Sequence, residues 1–355
     1  EREGFKAGAL QNALDYTKGK YVAIFDADFV PPEDFLTRTI PHLEDDPELA
    51  LVQTRWGHVN RDYNNFTEAF ALGMDGHHLV EQAGRSAWDL LINFNGTCGV
   101  IRTESIENSG GWTADTLNED LDLSYRMHLK GWKAMYIPDI VVPGETPPNI
   151  PAFRNQQSRW AQGSIQCCRK LLGKIWGYPK FSLPQKIQAS IHLTSYLVQP
   201  MILLMLLLTV PILLLKGYDL FSTFMPPVAV YAIAVMSSGS MYYSSIVRQG
   251  KSFIGNFRHF FFMLLMGFGL SAQITRSVIR GLTSYGGVFE RTPKYDIKNR
   301  SDRWSDKVYR PLKDLPLVEL ILSTYSLLGV YLSLISGQWS MAFYLSIYFM
   351  GFTLV

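Results

Sequence analysis

Asp26-Ala27-Asp28 closes a short apolar run, Asn118-Glu119-Asp120 follows about ninety residues later, and Gln156-x-x-Arg159-Trp160 comes after both. Each set has a chemistry its spacing permits. Carboxylates at a strand end can offer oxygen ligands to a divalent cation, and Mg²⁺ is ordinarily held by one or two carboxylates with phosphate oxygens completing the shell. A capping aspartate in an Asx-turn is the other reading of the same residues, and Asp120-Leu121-Asp122 repeats the spacing. Acidic residues at the start of a helix suit its positive terminus. Facing a pocket, such a carboxylate would instead act as a base toward a hydroxyl. Tryptophan offers a flat face to a sugar-like ring, and arginine offers paired donors to a pyrophosphate; a Trp at a membrane interface beside a snorkelling Arg fits the same two residues. Lys6, in Lys6-Ala7-Gly8-Ala9-Leu10, could approach a phosphate. Phe289-Glu290-Arg291-Thr292-Pro293-Lys294 follows Gly286-Gly287, a flexible start with cationic charge that suits a mobile lid over an anionic leaving group. A plain basic loop on the cytosolic side of a membrane explains that charge equally well.

The elements that must position these groups divide the chain. Residues 1–180 carry charge throughout, whereas from Ile187 to Val247 the only formal charges are Lys216 and Asp219. The first part therefore reads as a water-soluble α/β domain over residues 1–150 and the last, 187–355, as a membrane domain, joined by 151–186. The net charge of +2 is uninformative because the basic excess is local. Cys98, Cys167 and Cys168 have neither a disulfide framework nor metal-ligand spacing, and read as reduced thiols. The chain opens inside what reads as a helix, Phe5 to Tyr16, as a fragment of a longer protein would.

Within the first part, Tyr21–Phe25 reads as a buried strand ending at Asp26, Ala50–Trp56 as a second, and Leu91–Ile101 as a third, interrupted at Asn95–Gly99. Asn64–Arg85 and Glu119–Lys130 have helical spacing, and Ala134–Val142 is extended. Strands alternating with helices predict a mostly parallel sheet whose ligands gather at the strand carboxyl ends. Phe153–Trp176 predicts a basic amphipathic helix lying at headgroup level, with an ordinary surface helix as the alternative. Spans are expected at 187–215, 224–247, 315–336 and 339–355, and an interfacial or re-entrant helix at 259–282. Residues 284–314 hold eight Lys/Arg. Arg248, Lys251 and Arg258, after the second span, put the first domain in the cytosol, and the membrane is expected to be of plasma (inner) or Golgi type. Nothing suggests nucleic-acid binding, since the basic residues track the bilayer face.

Taken in order, Asp-x-Asp, Asn-Glu-Asp, Gln-x-x-Arg-Trp, spans, then Phe-x-x-Thr-x-Lys resembles the membrane-embedded family 2 processive glycosyltransferases. That group includes cellulose synthase, the cellulose-synthase-like mannan and glucan synthases, and hyaluronan synthase. The resemblance implies a GT-A-like α/β domain docked on transmembrane helices with amphipathic interface helices. It implies inverting, processive transfer of a hexose from a nucleotide sugar, UDP-glucose or GDP-mannose, to a growing β-linked polysaccharide that crosses the bilayer. Carried over position by position, Asp120 is the catalytic base with Glu119 beside it. Asp26 and Asp28 hold the donor and a Mg²⁺ or Mn²⁺ ion, helped by Lys6, Gln156, Arg159, Thr292 and Lys294. Trp160, Cys98 and Gly99 line the acceptor, and Phe289 and Arg291 belong to a gating loop. Asn118 stands where the family usually has Thr, Arg291 where it usually has Val, and the family's first aspartate would lie before Glu1. A single-sugar transferase acting on a ceramide or polyprenyl phosphate, and a non-catalytic membrane scaffold, are the competing readings.

Overall fold

The computed structural model describes residues 3–214, 239–289, 291–297, 300–304 and 316–355. Chain order begins α1 (Phe5–Leu14), β1 (Tyr21–Ile24), α2 (Phe35–Asp45), β2 (Leu49–His58) and α3 (Asn65–Gly76). Asn64 and Thr67 cap α3 reciprocally, satisfying donors that its first turn would otherwise leave unpaired. A π-helical turn, His77–Gln82, leads into α4 (Ala83–Ala87), and β3 (Gly99–Arg102), α5 (Thr103–Asn108), α6 (Glu119–Leu129) and β4 (Lys133–Gly144) complete the first domain.

The sheet order is β1-β3-β2-β4. β3 runs antiparallel to both β1 and β2, and β2 pairs with β4 in parallel. The expected mostly parallel sheet is therefore a mixed one. The cause is topological: the chain leaves β2 at His58 and, after the helical excursion, re-enters the sheet at Gly99 opposite Gln53, so β3 must run back toward Leu51. The third strand, expected over Leu91–Ile101 with an interruption at Asn95–Gly99, is confined to Gly99–Arg102, with Cys98 adding backbone bonds to Ile24 and Thr54. One face packs Ile24, Leu51, Phe94, Ile101 and Leu123, and the other Phe35, Leu43, Val52, Val100 and Val142. With both faces covered, the carboxyl ends of β1, β2 and β4 are left as the open edge.

Helix α7 (Ile150–Gly177) has Asn149 as its cap and Pro151 in its first turn, where a missing N–H costs nothing. It packs against protein along much of its length. Cys167, Leu171 and Ile175 pack with Leu121 and Tyr125 of α6, and Ala161 and Ile165 pack with Ile274 and Val278. Its basic residues find protein partners: Arg154 pairs with Glu319 at 2.9 Å, and Lys170 pairs with Asp115 and Asp122 at 2.8 and 2.9 Å. Partners within the fold thus take up Arg154 and Lys170.

The helical part continues with α8 (Leu183–Thr194) and α9 (Val198–Leu214), then α10 (Phe253–Gly269), α11 (Ser271–Thr283), α12 (Leu317–Ile335) and α13 (Trp339–Leu354). Leu183–Leu214, 32 residues with mean hydropathy 2.5, and Leu317–Ile335, 19 residues with 1.7, are long and apolar enough to cross a bilayer. Helices α10 and α11 qualify only together, bent by 52° at their junction, as a broken span or the re-entrant element expected at 259–282. Trp339–Leu354 has 16 residues, about 24 Å of helix against a hydrocarbon core of about 30 Å. Where four crossings were expected, length and composition thus support two, or three with the bent pair, among the described residues. The expected span 224–247 lies largely outside them.

Candidate active site

Lys6 projects from α1 to the open edge of the sheet. Its ammonium donates to Asp26 Oδ1 and to the Gly96 carbonyl, both at 2.8 Å, and stands 4.0 Å from Glu119. Burial alone would depress this lysine, but Asp26 and Glu119 overcome it and hold its pKa above the ordinary value. Asp26 is fixed where β1 ends by its backbone N–H, which donates to Thr97 Oγ1 at 2.9 Å.

Glu119 and Asp120 open α6. The capping explanation accounts for neither fully, since Glu119 is buried and faces Lys6, while Asp120 Oδ1 accepts the neighbouring Leu121 N–H at 2.8 Å. Asp120 Oδ2 lies against the turn before β3: a Cβ on Gly96 would sit 2.9 Å from it and 3.5 Å from Lys6 Nζ. Burial first, and then the Asp120 charge, push the Glu119 carboxyl up to about 7; burial also raises Asp120. Two interacting carboxyls release protons as a pair. The acid limb of a rate profile is therefore expected above the ordinary carboxylate range, with full activity once both groups are ionised. In Glu119→Gln the upper ionisation is gone, and the limb is expected to move to lower pH. A limb that stays in place in that variant contradicts the pairing.

Gly96 holds φ at +82°, a region that disfavours side chains. Gly96→Ala is expected to push the Asp120 carboxylate aside, and a misplacement of about 1 Å of a reacting group can cost about 10²-fold. The check is kcat in a variant whose melting temperature shows that it folds.

Arg159 reaches the cluster from α7. Burial lowers its pKa, against Glu119, Asp120 and Asp26, which favour its charge. Its guanidinium lies 4.2 Å over the Phe289 ring, which stacks on Phe5 at 5.9 Å. The loop after α11 is thus folded down on the site. Its start is held by Gln166 and Gln162, which donate to the Gly286 carbonyl at 2.7 and 3.2 Å. Its end places Lys294 Nζ 2.6 Å from Asp28 Oδ2. Gln156 Oε1, Arg159 Nε and Thr292 Oγ1 are buried without a hydrogen-bond partner, acceptors and donors of the kind a polar ligand would satisfy.

Most of the expected residues converge, with four exceptions. Cys98 is fully buried in the apolar layer under the sheet and Gly99 begins β3, so neither lines a cavity; burial also pushes the Cys98 thiol up to about 12. Gly96, earlier in the same turn, is the residue that lies against Asp120 and Lys6. Arg291 is exposed on the loop. Trp160 meets the site through its carbonyl, which accepts from Asn118 Nδ2 at 3.1 Å. That bond, with Gly163 leaving room for the Asn118 amide, ties α6 to α7, a use for asparagine that spacing did not reveal. The second Asp-x-Asp is also settled, because Asp122 is buried on Arg126, Thr113 and Lys170.

The donor chemistry fits a hard divalent cation. Asp26 and Asp28 supply two carboxylates, as many as Mg²⁺ or Mn²⁺ takes when a diphosphate provides the remaining oxygens. Among the described residues no group of three or more His, Cys, Asp or Glu could hold a metal by itself, so such an ion would depend on the bound phosphates.

Residues 21–270 match the family model described as Glycosyl transferase family group 2. Probable glucomannan 4-beta-mannosyltransferase 2 of Oryza sativa subsp. japonica is 44% identical over 177 residues, 49% of this chain and 30% of that protein. Glucomannan 4-beta-mannosyltransferase 1 of the same organism is 43% identical over 189 residues, 52% of this chain and 36% of that protein. The chain thus spans about a third of the length of the curated relatives it matches. Among solved structures, the mannosyltransferase PcManGT from Pyrobaculum calidifontis, in complex with GDP-Man and Mn²⁺, aligns at 20% identity with a TM-score of 0.43, over 68% of this chain and 66% of that one. With a family model matched over most of its length, and paired carboxylates, a cationic cluster and strand-end aspartates at one sheet edge, this chain belongs to the family 2 glycosyltransferases.

Proposed function

We propose that the protein transfers mannose, with inversion, from a nucleotide-activated donor to a growing β-linked polysaccharide. The observation that carries this reading is the meeting of Lys6, Asp26, Glu119, Asp120 and Arg159 at one sheet edge, with mannosyltransferase names on the similar proteins favouring mannose over glucose. Asp120 takes the proton of the acceptor hydroxyl as that oxygen bonds to the anomeric carbon. The bond from that carbon to the diphosphate breaks, and its electron pair leaves on phosphate oxygen. Positive charge builds on the sugar ring as in glycosidases, while Lys6, Arg159 and Lys294 offset the negative charge on the leaving group. A Mg²⁺ or Mn²⁺ ion on Asp26 and Asp28 would supply Lewis-acid neutralisation of that diphosphate.

Repeated transfer and passage of the polymer through the membrane part are included in the proposal. Its supports are the apolar helices packed directly against α7, which carries Arg159 and Trp160. The basic loop between α11 and α12 supports a cytosolic site.

The test is a donor screen on membranes containing the intact protein, with radiolabelled GDP-mannose and UDP-glucose. Label from GDP-mannose in an insoluble polymer is the expected result. Label confined to lipid extracts would replace the proposal with single-sugar transfer to a membrane lipid, and no turnover of any nucleotide sugar would replace it with a scaffold.

A further inference from the structure

Glu145, just past the end of β4, belongs to none of the recognised motifs, yet it makes more contacts with the loop than any motif residue does. Its carboxylate accepts the backbone N–H groups of Tyr295 at 3.0 and 3.1 Å, Asp296 at 3.1 Å and Ile297 at 3.4 Å. Its carbonyl accepts from Lys294 Nζ at 2.9 Å, and its own N–H donates to Asp28 Oδ2 at 3.2 Å. One residue therefore holds both partners of the Lys294–Asp28 pair, which close at 2.6 Å.

The surroundings show that this grip is built. Successive backbone N–H groups converging on one anion form a nest, and this one requires Asp296 at φ +51°, an uncommon conformation for a residue other than glycine. Tyr295 and Ile297, on either side, are buried with Ala152 of α7 beneath Trp304. The chain thus alternates a buried anchor, a strained residue on the nest and a second anchor. Lys294 immediately precedes them and points back to the strand-end aspartate. The segment is fixed at Glu145, and the part that carries Phe289 and Thr292 lies between this post and the Gly286 attachment.

We infer that Glu145 is a positioning residue: it fixes the loop's far end so that Lys294 stands at Asp28, and so sets donor affinity without touching the reacting atoms. This rests on the transferase reading of the site for its kinetic consequence, but not for its structural one. Glu145→Gln keeps the size and one acceptor oxygen but loses the charge; Glu145→Ala removes the nest's anion altogether.

Two measurements on the intact protein separate the claims. Hydrogen exchange without any donor reads the structural part: the amides of residues 295–297 are expected to exchange at least about 10-fold faster in Glu145→Ala, with a smaller rise in Glu145→Gln, while the strands keep their protection. Steady-state kinetics read the functional part. Both variants are expected to raise KM for the nucleotide sugar about 10-fold with kcat changed less than about 3-fold, a loss of binding rather than of chemistry. Glu145→Gln combined with Lys294→Met is expected to cost no more than Lys294→Met alone, because one effect runs through the other. Unchanged exchange at 295–297, or fully additive losses in the double variant, would overturn the assignment. Absence of turnover in the unaltered protein would instead sink the transferase reading and leave the exchange result to judge Glu145.

Discussion

Asp120→Asn is expected to lower kcat by about 10²–10⁴-fold, the usual contribution of a general base, with little change in donor KM. The substitution keeps the shape of the side chain, and its amide oxygen can still accept the Leu121 N–H that Asp120 Oδ1 now accepts. What it removes is the proton acceptor opposite Gly96. Glu119 does not replace it, because its carboxylate faces Lys6 from the buried side of the helix start. Because the role proposed for the lost group is at the acceptor hydroxyl and not at the phosphates, donor binding should survive. Single-turnover kinetics with saturating donor check the split, and near-normal turnover in Asp120→Asn would place the base elsewhere.

Lys6→Met is expected to be nearly as damaging for a different reason. One ammonium bonds Asp26 and the Gly96 carbonyl and faces Glu119, so its removal leaves three acidic side chains, with Asp120, in mutual repulsion. An opposite charge within reach typically shifts a carboxyl by about 1–3 pKa units. Here the lysine lowers both Glu119 and Asp120. Losing it raises them further, so the acid limb of the rate profile should move about one unit or more to higher pH. Loss of a preorganised donor near the leaving group should also cost about 10²–10³-fold in kcat. A Lys6→Met enzyme with an unmoved limb would show that the ammonium does not sense the base.

Much of this site was legible because its chemistry is local to short motifs. Asp26, Asp120 and Arg159 were each readable from neighbours within five residues, and a strand end or helix start fixes where such residues point. The helix over Asn64–Arg85 was likewise readable from its apolar spacing, although the π-helical turn at His77–Gln82 was not, since one extra residue per turn leaves no compositional mark. What escaped depended on contacts made far along the chain. The reversal of β3 follows from where the chain re-enters the sheet, not from the composition of Gly99–Arg102. The ion pairs that Arg154 makes with Glu319 and Lys170 with Asp122 join residues far apart in the chain, so the basic stripe on α7 could not be assigned its partners beforehand. Cys98 and Gly96 share one short turn, and only the backbone path decides that the glycine faces Asp120 while the cysteine enters the core. Glu145 had one available signal, an acidic residue just beyond a strand parallel to β2, which is where ligands of such sheets gather.

The most direct test of the account is the anomeric configuration of the first new linkage. Membranes carrying the intact protein would be given GDP-mannose, whose sugar is α-linked to phosphate, and the product examined by NMR and by digestion with a β-mannan-specific hydrolase. Direct attack assisted by Asp120 predicts a β-linked mannose that the hydrolase releases, and its loss in Asp120→Asn. An α-linked product, or β-linked product at an undiminished rate in that variant, would contradict it.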